Sequence, residues 1–339
     1  MKLFSRLLVA PAALGLMAPV AANADTAFSS TTTLGGSAYF TLGSEDAGTG
    51  NANEELYMQY AYGLDMTSSF TGEDSLYVGI ETGNASGPLA NMDSAVNPDT
   101  DDKVLSVHSA FYSFPVGDLS VTAGPLLDQD DVVGATVSQY SDSFRLGAMP
   151  YSLAGSETGP GIGLTYASDS GFVASASFVS DDGADSTDGI NTDAGSDVST
   201  LTLGYDGDGF GGGIVIAAND GDGTSTEYDT FGIGAYYSPE SIDATISVTF
   251  DTKDPKGGTD TEDLFVGIDY EVGPGTLHVG YNSTTDDDAG DDTDTTGFEV
   301  AYSYAINDNV TITPGFYTVG ETDGDEEDSG VVLETAFSF

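Results

Sequence analysis

The sequence predicts an all-β fold: a transmembrane antiparallel β-barrel of about sixteen strands, with a long third loop folded into the lumen. Three observations carry that expectation. Short segments alternate aromatic or aliphatic residues with small or polar ones at a period of two, which puts each set on one face of a strand. The connections alternate between tight Gly/Asn/Asp/Pro turns and longer acidic, Gly/Ser/Thr-rich stretches. Finally, Glu81, Asp243, Asp269, Glu271, Glu299 and Glu334 all share the register of the small and polar set. Carboxylates crowded inside a closed dry core need counter-charges, so the enclosed face is expected to be wet and these residues to face a lumen.

Composition narrows the function classes. The chain has 339 residues, 56 acidic against 6 basic, with no cysteine and no tryptophan. A formal net charge of -50 argues against nucleic acid as a partner, because phosphate binding needs a basic surface. No thiolate site or disulfide framework is available. The two histidines, His108 and His278, are far apart in sequence and make a histidine metal centre improbable. Disorder is disfavoured as well, since 39% of residues are hydrophobic and 10% aromatic.

Residues 1–24 read as an export signal. Lys2 and Arg6 precede an apolar stretch from Leu7 to Val20, and Ala22-Asn23-Ala24 offers a small-x-small cleavage pattern. Cleavage after Ala24 makes Asp25 the mature N-terminus and leaves residues 25–339 as one barrel domain.

The strands then follow in order at 33–42, 54–65, 74–82, 104–114, 118–127, 161–168, 171–180, 198–206, 210–218, 229–238, 242–251, 262–272, 276–283, 297–306, 310–319 and 331–339. Ile242, Ala244, Ile246, Val248 and Phe250 show the pattern, alternating with Asp243, Thr245, Ser247, Thr249 and Asp251. Leu264, Val266, Ile268, Tyr270 and Val272 do the same against Phe265, Gly267, Asp269 and Glu271. His278 falls in the lumen register of its strand. Aromatic residues near strand ends, including Tyr39, Phe40, Phe172, Tyr205, Phe210 and Tyr237, suit interfacial girdles. Long connections such as 181–197, 219–228, 284–296 and 320–330 are expected to face outside, and short ones such as 273–275 the periplasm.

One connection breaks the rhythm. Asp128 to Pro160 lacks sustained alternation, and so long a loop in a compact design usually has a function. It is the third outward connection and holds Asp128, Asp130, Asp131, Asp142, Arg145 and Glu157, the candidate constriction residues. Lys253 and Lys256 are expected in an outer loop. The last strand places Val331, Leu333, Phe337 and Phe339 on one face and ends in Phe339, a candidate assembly signal.

The run from Phe111 through Phe114-Pro115-Val116-Gly117-Asp118 to Gly124-Pro125 resembles cyanobacterial outer-membrane porins, as do Asp130-Asp131 through Gly147-Ala148 and the Gly/Asp-rich stretch from Ser180 to Gly204. These porins are related to the carbohydrate-selective and iron-uptake porins. Many of them carry an N-terminal S-layer-homology segment, for which the sequence leaves no room. The resemblance implies an outer-membrane location in a Gram-negative-type bacterium and passive diffusion of small hydrophilic solutes and inorganic ions. It also implies a third loop that narrows the lumen, a homotrimer, and contact with outer-membrane lipid and lipopolysaccharide. The scarcity of basic residues adds a preference for cations.

No cofactor, metal site or catalytic residue is expected, and the reading is non-enzymatic. Asp286-Asp287-Asp288, Asp291-Asp292 and the run from Asp323 to Asp328 are read as solvated acidic faces that hold divalent cations loosely. The main alternative is an exported acidic, Ca²⁺-dependent surface or carbohydrate-binding β protein. An outer-membrane hydrolase using His108 or His278 is a third reading.

Overall fold

A computed structural model describes residues 26–27, 31–46, 55–85, 104–141, 157–221, 227–287, 293–321 and 327–339. The export signal expected at residues 1–24, and Asp142 and Arg145, lie outside them. Sixteen antiparallel strands close into a barrel. They are β1 Thr32–Asp46, β2 Tyr57–Ser68, β3 Ser75–Gly83, β4 Ser106–Val116, β5 Leu119–Asp128, β6 Thr158–Ala167, β7 Phe172–Ser180 and β8 Asp197–Asp206. The second half is β9 Phe210–Asn219, β10 Tyr228–Tyr237, β11 Ala244–Pro255, β12 Asp260–Val272, β13 Gly275–Asp287, β14 Thr293–Asn307, β15 Val310–Glu321 and β16 Glu327–Ser338.

Closure joins β16 to β1, with Leu333 opposite Leu42 and Phe337 opposite Ala38. Phe339 extends this seam: its N–H donates to Gly36 O at 3.0 Å, and Gly36 N–H donates to Phe339 O at 2.8 Å. The Phe339 ring fills the space where Gly36 lacks a side chain and stacks on Tyr62 at 5.8 Å between centroids. An aromatic ring covering a strand glycine restores apolar cover that the glycine itself cannot give. Beyond the seam, Thr26–Ala27 pairs with Thr33 and Leu34 of β1.

A spanning sheet in lipid must satisfy its own backbone and turn apolar side chains outward. Here the exposed large side chains are those of the outer register: Ile162, Leu164, Leu201, Leu203, Ile233, Val248, Leu264, Ile268, Phe298 and Leu333. At the short-turn rim this band ends in Tyr166, Phe172, Tyr205, Phe210, Tyr237, Tyr270 and Tyr304, all exposed. Such rings suit the membrane interface, being apolar in body and polar at the tip. Tyr39 is not among them. It packs against Ala61 and Ala85 on the inner side.

Strand ends differ from expectation mainly at the long-loop rim. Much of 284–296 is ladder, with Thr284 opposite Thr295 and Thr285 opposite Asp294. Residues 320–330 likewise shrink to a short connection, and β11 and β12 are joined by only Lys256–Thr259, with Gly257 at φ 79°. Lys253 therefore belongs to β11 rather than to an outer loop. Asp243 moves the other way. It is exposed in the turn before β11 rather than on the lumen wall, and its carbonyl accepts the Glu271 N–H at 2.8 Å, one bond beyond the strand.

Candidate functional site

The inner face is polar because the inward register carries Ser, Thr, Gly and carboxylates, and residues 129–141 of the third long connection lie on it. After β5, Asp130–Val132 forms one 3₁₀ turn, and the chain then runs without regular structure, bending at Ala135, to Ser141. Its hydrogen bonds trace its course across the wall. Gln129 donates its amide to Thr200 of β8 at 2.8 Å, and Gly134 N–H reaches Ser175 of β7 at 2.9 Å. Gln139 N–H donates to Ser247 of β11 at 2.9 Å and Ser141 N–H to Asp269 of β12 at 2.7 Å. Tyr140 donates its hydroxyl to Glu299 of β14 at 2.6 Å.

Glycines make room for this passage. Gly163, Gly204, Gly213, Gly234, Gly267 and Gly280 hold inward positions on β6, β8, β9, β10, β12 and β13, directly beneath the loop. A Cβ at Gly204 or Gly213 would stand 2.6 or 2.8 Å from Ala135 Cβ, and one at Gly280 would stand 2.9 Å from the Tyr140 hydroxyl. At Gly163, Gly234 and Gly267 it would overlap Val132, Val137 and the Tyr140 ring. Glycine inside a strand marks close approach of another backbone. Sequence reasoning passed over this trench, although its signal is visible: glycines recur at inward positions on neighbouring strands.

The root of the loop is acidic. Asp128, the last residue of β5, accepts the Thr158 hydroxyl at 2.7 Å, while its N–H donates to Asp131 at 3.0 Å. Gln129 N–H donates to Glu157 O at 2.9 Å, which closes the base. Asp130 and Asp131 are each partly buried. Burial, reinforced by the neighbouring Asp128 charge, raises both carboxyls, Asp131 to about 7. Glu157 is raised by burial and by Asp181, and it meets Asn219 and Tyr228 at 3.4 and 3.5 Å. Close by, Lys253 lies over the Tyr228 ring at 4.0 Å.

The remaining candidates are spread around the wall. Glu299 is fully buried under Tyr140, and Glu334 is buried on β16 opposite Thr41 and Thr313. Glu81 lies half-buried on β3 opposite Ser106, while Glu271 is exposed at the short-turn end of β12. Asp269 and His278 come together. Asp269 Oδ1 meets His278 Nδ1 at 2.8 Å, His278 Nε2 meets Ser303 Oγ at 3.0 Å, and Ser303 Oγ meets Thr313 at 3.1 Å. The order Asp–His–Ser is that of a hydrolase relay. Here Ser303 shares its hydroxyl with Thr313, and Asp269 also holds Ser141. The chain of contacts thus ties the loop to four adjacent strands.

Solved structures of the same architecture include outer-membrane proteins and porins. Vibrio cholerae OmpT, folded in vitro in its trimer form, superposes with a TM-score of 0.64 at 16% identity, covering 94% of this chain and 100% of that one. The anion-selective porin of Comamonas acidovorans gives 0.65 at 13% identity, covering 91% and 99%. A mutant Rh. blastica porin gives 0.58 at 16%, covering 91% and 100%. No curated protein matches in sequence. The profile of the Gram-negative porin family matches residues 10–326, and with the closed barrel it places the protein in the outer membrane. The chain belongs to the Gram-negative porin family.

Proposed function

We propose that this porin is a passive diffusion channel for small hydrophilic solutes and inorganic ions, that it prefers cations, and that residues 128–160 set its narrowest point. The passage of 129–141 along the inner wall from β6 to β14 carries this reading. A loop pinned flat on one wall leaves the aperture between itself and the facing strands β15, β16 and β1–β5.

Cation preference rests on charge. The described residues contain two basic side chains, Lys253 and Lys256, and the second is exposed at the rim in an ion pair with Glu227. Glu81, Asp269 and Glu271 and the loop-root acids supply the opposite sign, with Glu299 and Glu334 buried behind the inner surface, and carboxylates lining a pore favour cations. The anion-selective relative is 13% identical, a likeness that bears on fold alone.

The long connections face outward toward lipopolysaccharide and the short turns face the periplasm. The assembly is a homotrimer; Vibrio cholerae OmpT, of similar fold, takes a trimer form.

Planar-bilayer recording tests the central claim. The intact protein gives discrete conductance steps, and deleting residues 133–154 raises the step size and admits larger uncharged solutes. Unchanged conductance from a deletion that still shows heat-modifiable gel mobility would place the loop outside the permeation path.

A further inference from the structure

Ser180 and Asp197 are cross-strand partners at the long-loop ends of β7 and β8, and the connection 181–196 begins at one and ends at the other. Both share the register of outward residues such as Ala176, Ser199 and Leu201, yet Ser180 is 0% and Asp197 4% exposed. The loop folds back over them. A Cβ on Gly183 would lie 2.7 Å from Ser180 Oγ and 2.9 Å from Ile190, so this segment sits directly on the pair. Asp181 N–H donates to Ser196 O at 3.0 Å and closes the base of the loop, and Asp220 N–H, from the connection after β9, donates to Asp197 O at 3.1 Å.

Beneath it, both Asp197 carboxylate oxygens and Ser180 Oγ are buried without a hydrogen-bond partner. A buried carboxylate without donors persists only when protonated, ion-paired or metal-bound. No described cation serves it, since Lys253 lies on Tyr228 and Lys256 on Glu227. The surroundings are negative instead: Asp181, Asp182, Asp185, Asp188 and Asp193 lie in the same loop. Asp182 and Asp188 flank Gly195, two residues before Asp197. Asp185 is occupied by its own turn, accepting the Thr187 N–H and hydroxyl at 2.8 Å.

We propose that Asp197 and Ser180 bind a divalent cation, Ca²⁺ in class, beneath loop 181–196. Ca²⁺ takes oxygen ligands in flexible geometry and accepts a bidentate carboxylate with hydroxyl, carbonyl and water oxygens. Mg²⁺ demands a tighter octahedron and gives up its water reluctantly. Among the described residues no three acidic side chains converge on one point. Asp197 is the direct carboxylate of the proposed site; Asp182, whose Oδ2 accepts the Ser196 N–H at 3.5 Å, and Asp220, whose Oδ1 accepts the Asp197 N–H at 2.9 Å, are engaged by backbone and add attraction. That donor set belongs with weak extracellular sites, at about 0.1–1 mM.

The test uses the full chain folded in detergent. Ca²⁺ binding is read by equilibrium dialysis and by protection of 181–196 from limited proteolysis, with Mg²⁺ as the comparison ion. Millimolar Ca²⁺ slows cleavage of the loop, D197N weakens that protection about tenfold or more, S180A weakens it less, and D185N leaves it unchanged. Equal Ca²⁺ protection in wild type and D197N would assign the binding to the acidic surface at large and overturn the proposal. So would a protonated-carboxyl infrared band at neutral pH that D197N removes. Should D197N fail the heat-modifiability check, S180A decides, and an unaltered Ca²⁺ response there overturns the site.

Discussion

Asp74 and Asp131 are the same residue type pushed in opposite directions by their surroundings. Asp74 closes the 69–74 turn. Oδ2 accepts the Tyr112 hydroxyl at 2.5 Å, and Oδ1 accepts Ser69, Phe70 and Thr71, so its carboxyl is held well below the usual range, first by Tyr112. Asp131 has one backbone donor and acidic neighbours, and burial raises it to about 7. The folded protein therefore keeps a proton that the unfolded chain releases near its ordinary value, and stability falls as pH climbs between the two. Asp131→Asn preserves an oxygen for the Asp128 N–H and removes the titration. At pH 8 the variant should resist the heat-induced gel shift by a few degrees more than the parent, while at pH 4 the two should coincide. Lower heat resistance at pH 8 would mean that the carboxylate is stabilised by a partner other than its burial suggests.

At the scale of elements, all sixteen strands were legible in the sequence, because one face meets lipid and the other water. The ends were not. Between Asp260–Asp263 and Thr284–Asp287 the ladder continues past the membrane with both faces wet, and hydrophobic alternation vanishes while the pairing persists. The site divides similarly. A long aperiodic third connection is readable in one dimension, but the relay of Asp269, His278 and Ser303 requires the register of three strands, and the glycine trench requires six. The trench makes a directional prediction. Gly234→Val places a branched side chain where Val137 now lies, which drives the loop off its wall and into the aperture. Single-channel conductance should fall below that of the parent, the reverse of the loop deletion. Tyr140→Phe, which removes the 2.6 Å bond to Glu299, should leave the mean conductance close to wild type and increase current noise by loosening the loop's far end. A wild-type trace from Gly234→Val would mean that the loop can be displaced without reaching the permeation path.

Across the whole molecule the decisive quantity is the asymmetry of charge. Beyond residue 24 the chain carries four basic residues against 56 acidic ones, and of those four only Lys253 and Lys256 lie in the described structure. Lys253 lies over Tyr228 beside Glu157, so its charge is set against a carboxylate, and among the described residues no second basic side chain joins it in a cluster. The acidic rim adds a second effect by concentrating cations at the mouth. Both are limited by screening, since the Debye length is ~8 Å at 0.15 M salt and ~3 Å at 1 M. Selectivity should therefore be clear but incomplete, strongest in dilute salt, and accompanied by free passage of small uncharged solutes. Titration supplies an internal control: with Asp131 raised to about 7, acidification from pH 8 to pH 5 protonates that carboxyl and should reduce the preference at fixed ionic strength. Reversal potentials across a KCl gradient measure both trends in one preparation. A potential of anion-selective sign in dilute salt at pH 8 would defeat the charge argument and assign control of the narrowest point to Arg145, the one basic residue within the third loop.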